Sequence, residues 1–280
     1  MVPRSSKARL LALFITAHLD ESHTHKSAPF ELMAGYVAPE ANWAILDYDW
    51  KELLGEFGIP HFHAVEMENR RGPFKKWNDA REQAFRRRGR AVCRANTICS
   101  VSAAVDRQAH RWFRSEIKAL VKKYSPDSVY GECFHQCMIL CCALVATKYP
   151  GEKVSFLLAT GHANLTNAIR IFQRNKHRPK FSQTAPYLHA MAIAPAELSS
   201  LQAADFFANE TMRDVLAGRF KSSQTVLGRQ LRALCDQAFF RDKMIPGILE
   251  AQKKMRDHAE ARLRASRERR EADALSRPAS

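Results

Sequence analysis

Four acidic residues, spread over three distant stretches, have the type and the surroundings to support metal-dependent chemistry. Asp20 and Glu21 follow the first apolar run, Glu66 follows a His-Phe-His segment, and Asp205 lies among small and apolar residues in the stretch 199–210. Phosphoryl transfer with two metal ions needs several carboxylates that converge on ions roughly 4 Å apart. Carboxylates and water are the ligands that Mg²⁺ and Mn²⁺ favour, so these residues predict a site for either ion.

Each acid also has an explanation without a metal. Acids are rarely buried unless they are paired or bind an ion, so pairing is the general alternative. Asp20 could cap the end of a strand, and Glu21 would point to the opposite side if that strand continues. Glu66 has polar neighbours and could lie on a solvated face. Asp205 is predicted in the middle of a helix, which excludes N-capping, so its alternative is a buried ion pair with an arginine.

Three histidines are further candidates for the same chemistry. His61 and His63 have a spacing that places both rings on one face of a strand, and some zinc hydrolases bind Zn²⁺ in this way. No third histidine lies nearby, so zinc is the alternative cofactor. His162 lies in a predicted turn between a strand and a helix, where it could face a ligand. That turn could equally be the start of a helix, with Asn164 as its cap.

The charge of the chain favours a polyanionic partner. The 280 residues carry a formal net charge of +15, which favours nucleic acid first and an anionic membrane surface second. Basic residues cluster at 81–94, at 170–180 and in the C-terminal tail, with aromatic residues nearby that could stack on bases. The candidate phosphate-binding residues are Arg86, Arg87, Arg88, Arg174 and Lys176. The alternative for each cluster is a solvated face of a generally basic protein.

The cysteines and the apolar runs indicate a cytoplasmic protein. Seven cysteines, an odd number in mostly apolar surroundings, favour reduced thiols. Cys133, Cys137 and Cys141 recur at helical spacing, which favours packing in a core over a soft-metal site. The apolar run near the N-terminus is too short for a secretory signal and meets Asp20 at once. No run is expected to span a bilayer, so no membrane partner is predicted.

Hydrophobic periodicity predicts an α/β protein with a mixed sheet, because strands occur both as a hairpin and alternating with helices. A helical C-terminal extension follows at residues 218–280 and carries many lysines and arginines, and the α/β domain occupies residues 1–217. Residues 61–66 are predicted as strand or loop. The predicted strands are 10–19, 30–38, 97–105, 154–158 and 187–193, and the predicted helices are 40–57, 77–94, 108–124, 130–148, 165–175 and 196–216.

Four short motifs together resemble the domain of unknown function 3800 family, which is widespread in bacteria and phages. They are LDES at 19–22, FHAVE at 62–66, GHAN at 161–164 and LQAADFFA at 201–208, and the resemblance spans roughly residues 10 to 215. It implies a ribonuclease H-like fold and a metal-dependent nuclease. It also implies acidic site roles for Asp20, Glu21, Glu66 and Asp205.

One position departs from the resemblance. Relatives often carry an acid at the end of the strand matched here by residues 156–160, whereas this chain has Ala159 and Thr160. Either His162 or Glu66 completes the site, or the protein is a catalytically inactive nucleic-acid-binding protein of nuclease ancestry. Two further hypotheses stay open: a zinc hydrolase that uses the paired histidines, and an interaction protein that acts through the basic tail.

Overall fold

The structure is a computed structural model and describes residues 14–22, 28–118, 128–177 and 184–217. The strands are β1 Ile15–Ser22, β2 Phe30–Pro39, β3 Cys99–Asp106, β4 Val154–Ala159 and β5 Leu188–Ala194. The helices are α1 Glu40–Glu56, α2 Ala64–Glu68, α3 Asp79–Asn96, α4 Arg107–Lys118, α5 Val129–Lys148, α6 Leu165–His177 and α7 Ser199–Leu216, with single 3₁₀ turns at Gly72–Phe74 and Ala185–Tyr187. The predicted C-terminal extension, and the predicted end of α4 beyond Lys118, lie outside the described residues.

The five strands form one mixed sheet in the order β3-β2-β1-β4-β5. β2 runs antiparallel to both β1 and β3, while β4 is parallel to β1 and β5 is parallel to β4. The carboxyl ends of β1, β4 and β5 therefore lie at one edge. This arrangement confirms the expected α/β fold, a mixed sheet flanked by helices.

The two faces of the sheet pack against different helices. Ile15, Ala17 and Leu19 of β1 are buried in the cluster that contains α5 and α6. Leu32 and Ala34 of β2 face the other way and pack against α7. Because side chains alternate along a strand, odd-numbered residues of β1 face α5 and even-numbered residues face α7. This alternation decides the orientation of the acids at the end of β1.

α5 lies in the core. The thiols of Cys133 and Cys137 donate to the backbone oxygens of Glu31 and Met33 at 3.3 and 3.5 Å. Burial raises the pKa of Cys137 to about 12, so it stays a protonated thiol, as the packing interpretation predicts. α5 is the one described helix long and apolar enough to cross a membrane, contrary to the expectation that no run would be. Of the 18 consecutive residues of α5 that are most apolar, 61% are buried inside the protein.

Residues 61–66 were predicted as strand or loop, and only part of that prediction holds. Residues 61–63 form a loop, and a helix begins at Ala64 with His63 as its N-cap residue. His61 and His63 therefore do not share a strand face. On α1, Ile45 is 54% exposed. The stripe that packs on the core is formed by Trp43, Leu46, Trp50, Leu53 and Leu54.

Candidate active site

Asp20 lies at the carboxyl end of β1, on the face that packs against α7. Its Oδ1 accepts the backbone N–H of Glu21 at 2.9 Å. Burial raises the pKa of Asp20 well above its usual value, and the negative charges of Glu21 and Asp205 raise it further. A carboxylate with this environment favours either a proton or a cation.

Asp205 reaches the same region from α7. Its Oδ2 accepts the backbone N–H of Ala64, the first residue of α2, at 2.8 Å. Burial raises the pKa of Asp205 to about 6, although the Ala64 bond and the nearby His63 lower it. Among the described residues no arginine pairs with Asp205, so the structure gives no support to the buried ion pair. Asp205 instead completes the N-terminus of a different helix.

Gln202, one turn before Asp205 in α7, fixes the segment that precedes α2. Its Oε1 accepts the backbone N–H of Phe62 at 2.7 Å and the indole N–H of Trp50 at 3.3 Å. Its amide donates to the carbonyl of Glu197 at 2.6 Å. Sequence reasoning missed this positioning role, although the three-residue spacing from Asp205 places both side chains on one helix face.

Glu21 faces the α5 side of the sheet, as the continuing strand predicts. Burial raises the pKa of Glu21 to about 7, against the lowering effect of a hydrogen bond from the Asp20 carboxyl group. The charges of Asp205 and Glu31 raise it further. Asp20, Glu21 and Asp205 therefore form one electrostatically coupled group, which we call the acid site.

His162 lies in a polar cluster on the α5 side of the sheet, the side that Glu21 faces. Its ring stacks on Tyr130 with centroids 4.0 Å apart, and its Nδ1 accepts the backbone N–H of Asn164 at 3.1 Å. Its Nε2 lies 3.8 Å from Oε1 of Glu31, whose other oxygen is 2.8 Å from the guanidinium of Arg107. Burial, and then the charge of Arg107, lower the pKa of His162. The ring is therefore neutral, and its Nδ1 is already occupied as an acceptor.

Sequence reasoning missed Glu31 and Tyr130. Both are buried, and Oε1 of Glu31 and the hydroxyl of Tyr130 have no hydrogen-bond partner among the described residues. A signal for Glu31 exists in the sequence. It has the same strand parity as Met33 and Val37, which both face the core. The signal was hidden because β2 is buried on both faces and shows no alternation.

Glu66 is not brought into the acid site. Its Oε2 lies 3.6 Å from Nε2 of His61, and its carboxylate packs against Gly72. Glu68, two residues later, raises the pKa of Asp205 instead. The two histidines of the predicted zinc pair also have different neighbours. His61 faces Glu66, while His63 lowers the pKa of Asp205.

The donors of the acid site are carboxylates, the ligands that Mg²⁺ and Mn²⁺ favour. Within the described part of the chain, no three His, Cys, Asp or Glu side chains are grouped to hold a metal ion. Mg²⁺ keeps several waters and binds through one or two carboxylates plus substrate phosphates. Asp20 and Asp205 are half-buried carboxylates without a cationic partner among the described residues, so they match that requirement.

The five candidate phosphate-binding residues differ in what they contact. Arg86 is buried and bonds to Glu82, Asn209 and Glu210, so it joins α3 to α7 rather than facing solvent. Arg87 is exposed, and Arg88 is exposed with Glu56 at 2.9 Å.

The two candidates on α6 lie far from the acid site. Lys176 donates to the carbonyl of His189, near the start of β5. Arg174 is in the same last turn of α6. Because β5 pairs in parallel with β4, they lie roughly one strand length, about 17 Å, from the edge that carries Asp20.

A pocket of about 160 Å³ also lies at this opposite end of the sheet. Its lining includes Phe14, Lys153, Ser155 and His189, and one carboxylate, that of Glu152. A single acid beside a lysine does not provide the donor set of a metal-dependent hydrolase. The acid site therefore remains the candidate active site.

Two solved structures of Bst-RNase HIII are similar to the chain at low identity. The crystal structure of Bst-RNase HIII in complex with Mn²⁺ is 14% identical, with a TM-score of 0.41, and the match covers 99% of this chain and 75% of that one. A mutant of Bst-RNase HIII is 12% identical, with a TM-score of 0.40, and the match covers 89% and 71%. No family model and no curated protein matches the chain. At these values the similarity carries no argument for function.

Proposed function

We propose that the protein is a divalent-metal-dependent nuclease that hydrolyses phosphodiester bonds in DNA or RNA at the acid site. The observation that carries this proposal is that Asp20, Glu21 and Asp205 are half-buried and act on one another electrostatically, with no lysine or arginine paired to any of them among the described residues. Burying carboxylates without compensation is costly, and a divalent cation would compensate them. The net charge of +15 favours an anionic polymer as the substrate.

Hydrolysis of a phosphodiester forms a bond from phosphorus to a water oxygen and breaks the bond to one ester oxygen. A bound divalent cation supplies charge neutralisation at the phosphate and lowers the pKa of water. Asp20 and Asp205 would hold it, since one oxygen of Asp205 stays available beside the one bonded to Ala64. Glu21, with a pKa of about 7, is suited to accept the proton of the attacking water near neutral pH.

Labelled single- and double-stranded DNA and RNA, incubated with Mg²⁺, Mn²⁺ or a chelator, test the proposal. Asp20→Asn and Asp205→Asn should each abolish cleavage, because an amide cannot replace the negative charge at the cation. Asp214→Asn, the same change at an exposed position of α7, should leave cleavage intact. Cleavage that persists in chelator, or in both site variants, would overturn the proposal.

Ala159 favours a second candidate function, a nucleic-acid-binding protein of nuclease ancestry without turnover. Leu19 pairs with Leu158, so continuing the register by one residue places Ala159 beside Asp20. Ala159 is buried and adds no carboxylate there. Binding that is unchanged in Asp20→Asn, with no cleavage by the wild type at any metal concentration, would favour this second function.

A further inference from the structure

We infer that the loop directly after α2, residues 69–77, binds the phosphates of the nucleic-acid strand beside the acid site. This inference rests on the proposed function. The segment, Asn-Arg-Arg-Gly-Pro-Phe-Lys-Lys-Trp, carries four basic side chains and no acid. We call it the basic loop. It lies outside the basic clusters at 81–94, at 170–180 and in the C-terminal tail.

The basic loop is attached to the acid site through α2. Asp205 bonds to the first residue of α2 at 2.8 Å, and α2 has five residues, a length of about 7.5 Å. The backbone N–H of Arg71 donates to the carbonyl of Glu66 at 2.8 Å, which folds the loop back onto α2. At about 3.4 Å per nucleotide, the loop begins two or three nucleotides from Asp205.

The basic loop is held in one conformation by its own residues. Phe74 is fully buried, with its ring centroid 4.9 Å from that of Trp77 and 6.1 Å from that of Phe62. Arg70 has a left-handed backbone with φ of 50°, and its guanidinium bonds to the carbonyl of Trp77 and to Asp79. A loop that is ordered before binding loses less entropy on association.

Three basic side chains of the basic loop are available to bind phosphates. Arg71, Lys75 and Lys76 are exposed, and their side chains make no ion pair or hydrogen bond with any residue that the structure describes. Arg88, in contrast, pairs with Glu56. Of the two acids of α2, Glu66 lies against Gly72 and faces His61, and Glu68 raises the pKa of Asp205. Lysine and arginine side chains presented in this way bind phosphates and release condensed counterions.

The burial of the aromatic residues favours nucleic acid over an anionic membrane surface. A segment that binds a membrane inserts aromatic or aliphatic side chains below the headgroups. Here Phe74 and Trp77 are both turned into the core, so the exposed surface of the basic loop is cationic without an apolar component. Its charge suits a backbone of phosphates.

The test compares two pairs of exposed lysines that carry the same charge. Lys75→Gln/Lys76→Gln changes the basic loop, and Lys148→Gln/Lys153→Gln changes the opposite end of the sheet. Fluorescence polarisation with a labelled single-stranded oligonucleotide, in chelator to prevent cleavage, gives Kd from 50 to 300 mM salt. Thermal melts confirm that both variants are folded.

We expect Lys75→Gln/Lys76→Gln to raise Kd at least tenfold at 100 mM salt. The slope of log K against log salt should fall by about 1.4, because each phosphate contact on a single strand contributes about 0.7. Lys148→Gln/Lys153→Gln should change Kd less than twofold. An equal loss in both variants would overturn the inference, as would the absence of measurable binding by the wild type. Binding to phosphatidylserine vesicles that depends on the loop lysines, without an effect on the oligonucleotide, would also overturn it.

The cleavage assay keeps this inference separable from the proposed function. Loop-dependent binding without metal-dependent cleavage would support the basic loop and reject the nuclease. Metal-dependent cleavage with unchanged binding in Lys75→Gln/Lys76→Gln would support the nuclease and reject the basic loop.

Discussion

At the scale of single residues, the acid site holds carboxylates in surroundings that favour their protonated forms. The pKa of Asp205 is about 6 and that of Glu21 about 7, with burial the main cause in both. Both values lie above those of the free side chains. The folded protein therefore binds more protons than the unfolded chain between about pH 4 and pH 7, and stability falls as the pH rises through that window.

Asp205→Asn should stabilise the metal-free protein at pH 8 by on the order of 1–3 kcal/mol, because the amide removes a half-buried negative charge whose pKa is raised to about 6. Its oxygen can still accept the N–H of Ala64. Urea denaturation in chelator measures the difference, which should shrink towards zero at pH 4, where the wild-type carboxyl group is protonated. A loss of stability at pH 8 would contradict this account.

Glu21 should set the pH dependence of catalysis. The metal-free pKa of Glu21 is about 7, and a bound cation should lower it, so cleavage at saturating Mg²⁺ should rise with pH through a midpoint below 7 as the carboxyl group ionises. Glu21→Gln should lower the maximal rate and remove that rise. An unchanged profile in this variant would assign the proton transfer to another group.

At the scale of elements, the contact between β1 and β2 depends on Gly35. A Cβ at this position would lie 1.9 Å from the carbonyl oxygen of His18, two residues before Asp20. Gly35→Ala should therefore destabilise the protein by about 1–3 kcal/mol or more. Gly55→Ala is the control, since nothing lies within 4 Å of its Cβ, and it should be neutral or stabilising by up to about 1 kcal/mol. Urea denaturation measures both, and equal effects would contradict the prediction.

Gln202 should be needed to keep the segment before α2 in place. Gln202→Leu leaves the buried N–H groups of Phe62 and Trp50 without an acceptor, at a cost of roughly 2–4 kcal/mol. We expect a lower denaturation midpoint together with faster proteolysis between Ile59 and Ala64. Gln202→Glu retains the acceptor and should recover part of the loss. A variant as stable as the wild type would show that water replaces the side chain.

At the scale of the whole molecule, periodicity in the sequence was enough to predict the sheet, since hydrophobic patterns report burial directly. The hairpin, the core helix and α7 were predicted within a few residues. The helix α2 was not predicted. It has five residues, and its first backbone N–H is bonded to Asp205, 141 positions away along the chain.

The acids at the end of β1 and in α7 were predicted as candidates because charge inside an apolar run is visible in sequence. The residues that each charged side chain contacts were not visible in the sequence, because these contacts join distant elements. Arg86 was therefore predicted to bind phosphates, although it is buried among Glu82, Asn209 and Glu210. Glu66 was predicted as a residue of the acid site, whereas the acid of α2 that raises the pKa of Asp205 is Glu68.

Mg²⁺ should stabilise the folded protein as a whole. If Kd is near 1 mM, 10 mM Mg²⁺ adds about 1.4 kcal/mol through RT ln(1 + [L]/Kd), which thermal melts at pH 8 would detect as a raised Tm. The double variant Asp20→Asn/Asp205→Asn should show no such rise, and K⁺ at equal ionic strength controls for screening. An equal rise in both proteins would place the cation elsewhere.

The bond between Asp205 and Ala64 also sets an order for biosynthesis. Every strand of the sheet, and Asp20 and Glu21 with them, precedes α7 in the chain. When the ribosome has synthesised β5, all five strands are present, but the segment at 62–64 still lacks its two anchors on α7. Asp205 is the last member of the acid site to be synthesised, so a chain interrupted before α7 lacks that site.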